Sequence, residues 1–104
     1  MTEGADRYAL SPSARADLVA IWRYSAANWS VEQADRYVRD LEAVFRLLAG
    51  SPGLGVGIDH LRKGYRKFPA GRHSVYYTSG EQGVLIVRIL HQRMDAGAQL
   101  PGAG

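Results

Sequence analysis

His91 and Arg93, two residues apart in the run Leu90-His91-Gln92-Arg93-Met94-Asp95, bring together a residue type that titrates near neutrality and a permanent cation. A second basic run, Leu61-Arg62-Lys63-Gly64-Tyr65-Arg66-Lys67-Phe68, lies some 25 residues earlier. Cleaving a phosphodiester needs a general base, a general acid and cations for the developing charge. The set that fits is His91 with Arg66 and Arg93, and it lacks an evident second base. A lone His at a strand end more often packs or hydrogen-bonds, so the competing reading is that no catalytic group is present. The other imidazoles, His60 and His73, have no Cys or carboxylate at a metal-ligand spacing, which argues against a metal site. Gly-x-Ser-x-Gly is absent. The glycines of Ser51-Pro52-Gly53-Leu54-Gly55-Val56-Gly57 follow a helix and lack a terminal Gly-Lys-Ser/Thr, so they read as a flexible loop and not as a phosphate cradle.

Charge suggests binding more than catalysis. The net charge is +3 over 104 residues, and it is uneven. Residues 1–52 hold six Arg against seven acids, and residues 53–104 hold seven Lys/Arg against three acids. Such an excess favours an anionic partner, or else simply keeps a face solvated. The candidate binding cations are Arg62, Lys63, Arg66, Lys67, Arg72 and Arg93. With no cysteine, disulfides and thiolate metal sites are excluded. No apolar run reaches the roughly 20 residues of a membrane span, and the start lacks a secretory pattern, so a cytoplasmic location without membrane contact is expected.

The elements that must position these residues follow from periodicity. Arg7 to Leu10 reads as a first strand. Ser11 is an N-cap, and Pro12 suits the first helical position. Ala14, Leu18, Ile21, Trp22, Ser25 and Trp29 then form one stripe, expected to face the core, with Arg15, Asp17 and Arg23 off it. Ser30 with Gln33 makes a capping box. Ala34, Tyr37, Val38, Leu41, Val44, Phe45 and Leu48 mark a second helix that stops at Gly50. The short link between the helices predicts an antiparallel hairpin. Three strands follow: Leu61–Phe68, ended by Pro69-Ala70-Gly71; Arg72–Thr78, with Tyr76 and Tyr77 packing; and Val84–Leu90 after a turn at residues 79–83. The order β-α-α-β-β-β defines an α+β fold, with an N-terminal strand and an antiparallel helical hairpin packed on a small antiparallel sheet. One domain covers residues 1–104, with its core at about 7–95 and a loose tail at 96–104. The sheet's far face, or the groove beside the hairpin, stays available to a partner.

This order and five local phrases resemble the RelE/ParE toxin superfamily over roughly Arg7 to Asp95. The phrases are Tyr8–Leu18, Ala20–Tyr24 with Trp29, Ala34–Tyr37 with Leu41, Leu61–Pro69 and Val87–Asp95. The ending Ile89-Leu90-His91-Gln92-Arg93-Met94-Asp95 looks ParE-like. The resemblance implies the toxin of a type II toxin–antitoxin pair that inhibits DNA gyrase by binding, with no cofactor. It also implies neutralisation by a ParD-like antitoxin, through which alone operator DNA is reached. The alternative within the superfamily is a ribosome-dependent mRNA endonuclease, for which His91, Arg66 and Arg93 are the catalytic candidates.

Overall fold

The computed structural model describes residues 7–100; Met1 to Asp6 and residues 101–104 lie outside the described residues. The elements are β1 (Tyr8–Leu10), α1 (Pro12–Asn28), α2 (Val31–Gly50), a 3-10 turn (Pro52–Leu54), β2 (Val56–Gly57), β3 (Arg66–Ala70), β4 (His73–Gly80), β5 (Gly83–His91) and α3 (Ala96–Gln99). Both N-caps form as their sequences dictate. The Ser11 hydroxyl accepts the Ala14 N–H at 3.0 Å, and the Ser30 hydroxyl accepts that of Gln33 at 3.0 Å. The two helices are tied near the turn by the Trp22 indole N–H, which donates to Asp35 at 2.8 Å.

The sheet has five strands in the order β1-β5-β4-β3-β2. All neighbours are antiparallel except β1, which pairs parallel with β5 through Tyr8–Val84 to Leu10–Ile86. A parallel neighbour demands a crossover, and the helical hairpin is that crossover. Its inner stripe meets one sheet face in a cluster of Ala14, Ile21, Leu41, Phe45, Leu48, Val75, Tyr77, Ile86 and Ile89. Burying Phe45 alone is worth about 2–3 kcal/mol against leaving it in water.

Several sequence expectations need correction. The first meander strand begins at Arg66, because Ile58 to Tyr65 folds as successive turns in which Ile58 carbonyl accepts from both Leu61 and Arg62. Nor does Pro69 end that strand. Ala70 and His73 flank the two-residue turn Gly71-Arg72, so Pro69 sits opposite Ser74 at a position that gives no ladder bond to β4. β2 reaches only as far as Lys67, so proline's missing N–H falls on an open edge. The glycine-rich loop is not loose: Tyr77 hydroxyl donates to Pro52 carbonyl at 2.7 Å and accepts the Gly55 N–H at 2.8 Å. A Cβ at Gly55 would lie 2.5 Å from that hydroxyl, so glycine is required there by close approach.

The tail is also ordered through Leu100. α3 lays Leu100 against Ile58, Tyr76 and Leu90 on the sheet's far face, with Leu61 and Tyr65 beside it. That part of the far face is therefore occupied by the chain itself. β5 carries a bulge where Tyr76 faces Arg88 and Tyr77 faces Ile86, leaving Val87 as the extra residue. Ser11 docks there, its hydroxyl donating to Val87 carbonyl at 2.7 Å and its N–H to Ile86 carbonyl at 2.9 Å.

Candidate functional site

A groove of about 560 Å³ opens between the hairpin and the ends of β4 and β5. Ile21, Tyr24 and Trp29 form its helical wall, and Arg72, His73 and His91 its sheet wall, with Tyr37 between them. His73 and His91 are cross-strand partners in register, their ring centroids 5.5 Å apart in an edge-on arrangement. Trp29, expected in the core, is 45% exposed, and Tyr24, edge-on to it at 6.0 Å, is 63% exposed. The helix ends at Asn28, so Trp29 is no longer held to the buried stripe. Its ring instead receives the Arg72 guanidinium at 4.7 Å from the centroid, a cation–π contact at the groove's rim.

Tyr37 organises the polar part. Its hydroxyl accepts the Arg72 N–H at 3.0 Å and lies 2.7 Å from His73 Nδ1. The hydroxyl can also donate to the Ala70 carbonyl, at the longer distance of 3.4 Å, and which partner takes the phenolic proton depends on the His73 tautomer. Burial pushes the Tyr37 hydroxyl above its ordinary pKa of 10.0, although the Arg72 N–H and charge act the other way. Burial likewise pushes His73 below 6.5, helped by the neighbouring His91 and Arg72 and opposed by Asp17. Both effects favour the neutral imidazole at His73. Gly71 makes this approach possible: at φ +60° it takes a left-handed conformation, and a Cβ there would lie 2.7 Å from the Tyr37 hydroxyl.

The sequence-chosen cations are scattered. Arg72 and Arg93 are exposed near the groove end. Arg66 stands four residues along β3 from the level of His73 and His91, roughly 13 Å away, and it donates to Gly55 carbonyl at 2.7 Å. His91, Arg66 and Arg93 are therefore not assembled at one place in the described chain. Arg62 is engaged internally, donating to Leu61 carbonyl at 2.7 Å and Gly97 carbonyl at 2.9 Å. Lys63 and Lys67 are exposed, Lys67 with its ammonium 5.9 Å from the Tyr76 ring centroid. Among the described residues, no group of three or more His, Cys, Asp or Glu is placed to hold a metal.

Residues 8–96 match the family model described as the ParE toxin of the type II toxin–antitoxin system parDE. The chain belongs to the ParE toxin family. It is 47% identical over 93 residues to Toxin ParE1 of Caulobacter vibrioides, covering 89% of this chain and 96% of the relative. Toxin ParE1 of Mycobacterium tuberculosis is 42% identical over 97 residues, covering 92% and 99%. Among solved structures, a chain of the chromosomal ParDE system from P. aeruginosa superposes with a TM-score of 0.73 at 21% identity, covering 86% of this chain and 98% of that one. That likeness extends to the fold. As a ParE-family member, the protein is the toxin of a type II toxin–antitoxin system.

Within this ParE-family fold, Tyr37, His73 and Trp29 were missed as site residues by sequence reasoning, whereas Arg72 was among the candidate binding cations. Tyr37 sits on the buried stripe of α2, where periodicity marks a core residue. The available signal was its hydroxyl: a Tyr on a core stripe needs a polar partner. Asp17 and Arg88, read as a solvent-side acid and an interruption in a strand, form a two-pronged ion pair at 2.7 and 2.9 Å.

Proposed function

We propose that this ParE-family toxin stops growth by binding DNA gyrase in the cytoplasm and trapping its cleaved-DNA intermediate, with no catalysis of its own. A ParD-like antitoxin neutralises it by laying an amphipathic segment into the groove between hairpin and sheet. The observation that carries this reading is the groove itself, rimmed by the exposed Tyr24, Trp29 and Arg72. Aromatic residues and arginine in a concave, partly desolvated setting are the usual anchors of a helix-in-groove interface. The separation of Arg66 from His91 adds support, since it leaves the nominal nuclease set unassembled.

A second reading, ribosome-dependent mRNA cleavage, draws on one observation: His73 stands beside His91 as a second imidazole, a pairing that the sequence alone did not reveal. Induced expression with parallel readouts separates the two. Under the gyrase reading, purified toxin inhibits supercoiling and expression raises DNA-damage signalling, both reversed by antitoxin, and His91→Ala leaves transcripts unaffected. Intact supercoiling together with transcript cleavage that His91→Ala abolishes would establish the nuclease reading instead.

A further inference from the structure

The groove's polar end has a feature that antitoxin docking does not by itself explain: both imidazoles have one nitrogen already committed. The Arg93 N–H donates to His91 Nδ1 at 3.1 Å. An N–H needs a lone pair, so Nδ1 carries no proton and, in the neutral ring, Nε2 does. The Tyr37 hydroxyl accepts from Arg72 and lies nearer His73 Nδ1, at 2.7 Å, than Ala70 carbonyl, at 3.4 Å; donation to that nearer atom places the His73 ring proton on Nε2 as well. Neither Nε2 has a hydrogen-bond partner among the described residues, and neither is sealed from solvent. Two N–H donors, fixed in tautomer by their neighbours, therefore remain unused beside a guanidinium held at the rim by Trp29.

We propose that His73, His91 and Arg72 form a seat for a single carboxylate, supplied by an Asp or Glu of the antitoxin segment whose apolar side chains pack on Ile21, Tyr24 and Trp29. This rests on the groove being the antitoxin's site. The donor count selects the ligand. Two N–H groups match two carboxylate oxygens, and one guanidinium balances one charge. A phosphate dianion would leave charge uncompensated. A metal is disfavoured, because Nε2 of His91 would have to lose its proton to Nδ1, where the Arg93 N–H stands. The apolar wall beside the donors favours an acid carried on a hydrophobic segment over a free inorganic anion.

The test uses 3-phenylpropionate, which pairs a ring with a carboxylate, and its uncharged isostere 3-phenylpropionamide. Long-range proton–nitrogen NMR on the full chain first reads the tautomers; both rings are expected as Nε2–H, and a His91 proton on Nδ1 overturns the seat. Titration with the acid is then expected to shift both Nε2 resonances and to bind about tenfold more tightly than the amide, the loss typical of one charged hydrogen-bonding group. Arg72→Met should reduce that preference to about threefold or less with the fold intact by amide fingerprint. Equal binding of acid and amide, or binding of neither, overturns the proposal. No antitoxin enters this assay, so failure removes the seat and leaves the groove's antitoxin assignment standing. Failure of an antitoxin to bind at all would remove that assignment whatever the probes do.

Discussion

The groove and the C-terminal strap, α3 through Leu100 with the Arg62 and Arg88 side chains that hold it, are built from the same materials and finished differently. In each, arginines and a bidentate or ring acceptor meet around the end of β5. In the strap, most polar groups are paired, the Arg62 Nε being buried without a partner. Arg88 gives Nε and one Nη to Asp17, and its other Nη to Gln99 carbonyl at 2.9 Å, while Asp17 also takes the Ile89 N–H at 2.9 Å. Arg62 clasps Gly97 carbonyl, and Leu100 plugs the far face. In the groove, the donors are oriented but only half used, and the aromatics stand in water. Polar groups paired within the chain indicate that their free energy serves the fold. Oriented polar groups with spare capacity beside exposed aromatics indicate a partner. Position explains the difference: β1 stops opposite Ile86, so the rest of that β5 edge must be closed by Asp17 and α3, whereas the His91 end abuts only a turn.

The contrast is broken most sharply at Asp17. Its side chain is 14% exposed and that of Arg88 18%. Asp17→Ala strands a guanidinium and the Ile89 N–H together, and should cost about 3 kcal/mol in denaturant unfolding. Carboxylate-probe binding in the groove should be unchanged while the chain is folded. A loss below about 0.5 kcal/mol would show the pair to be no more than a surface contact.

Trp29 tests the other side. Trp29→Ala should leave stability within about 0.5 kcal/mol, as for exposed residues generally. It should weaken antitoxin binding by about 2 kcal/mol, because Arg72 loses its support as well as the groove its anchor. If stability falls and affinity holds, the groove and the strap are not different in kind.

These residues also mark how far the sequence could be read. The caps at Ser11 and Ser30, the stripes around Phe45 and Leu41, and the order of elements all depend on contacts within a turn or two, and periodicity reports them. The parallel pairing of β1, the burial of Leu100 and the Asp17–Arg88 pair join positions some 70 or more residues apart or across layers, and no local pattern encodes such partners. Arg62 looked like a free cation because its acceptors are backbone carbonyls, which every residue has. At the site, His91 was visible as a titratable group at a strand end. Its cross-strand neighbour His73 was not, since pairing depends on the register set by the Gly71-Arg72 turn.

The smallest expected effect is also the most specific. His73 sits in the groove wall with its pKa pushed below 6.5, while in the unfolded chain it titrates near that value. Between the two values the unfolded state holds more protons, so stability rises with pH there and is lost as pH falls from about 6.5 toward the folded pKa. Tyr37 gives the mirror image. Its pKa is pushed above 10.0, so the unfolded chain loses that proton first, and stability falls as pH climbs past about 10. Burial of two hydrogen-bonded neighbours, Tyr37 and His73, thus sets both shoulders of a stability plateau. His73→Gln should flatten the acid shoulder relative to wild type, and Tyr37→Phe the alkaline one, in unfolding measured across pH. An acid shoulder that survives in His73→Gln would show that His73 is not its source. With Asp17 and Arg72 acting on His73 in opposite directions, the slope that disappears belongs to the imidazole and its burial in the groove wall, and not to the strap's ion pair.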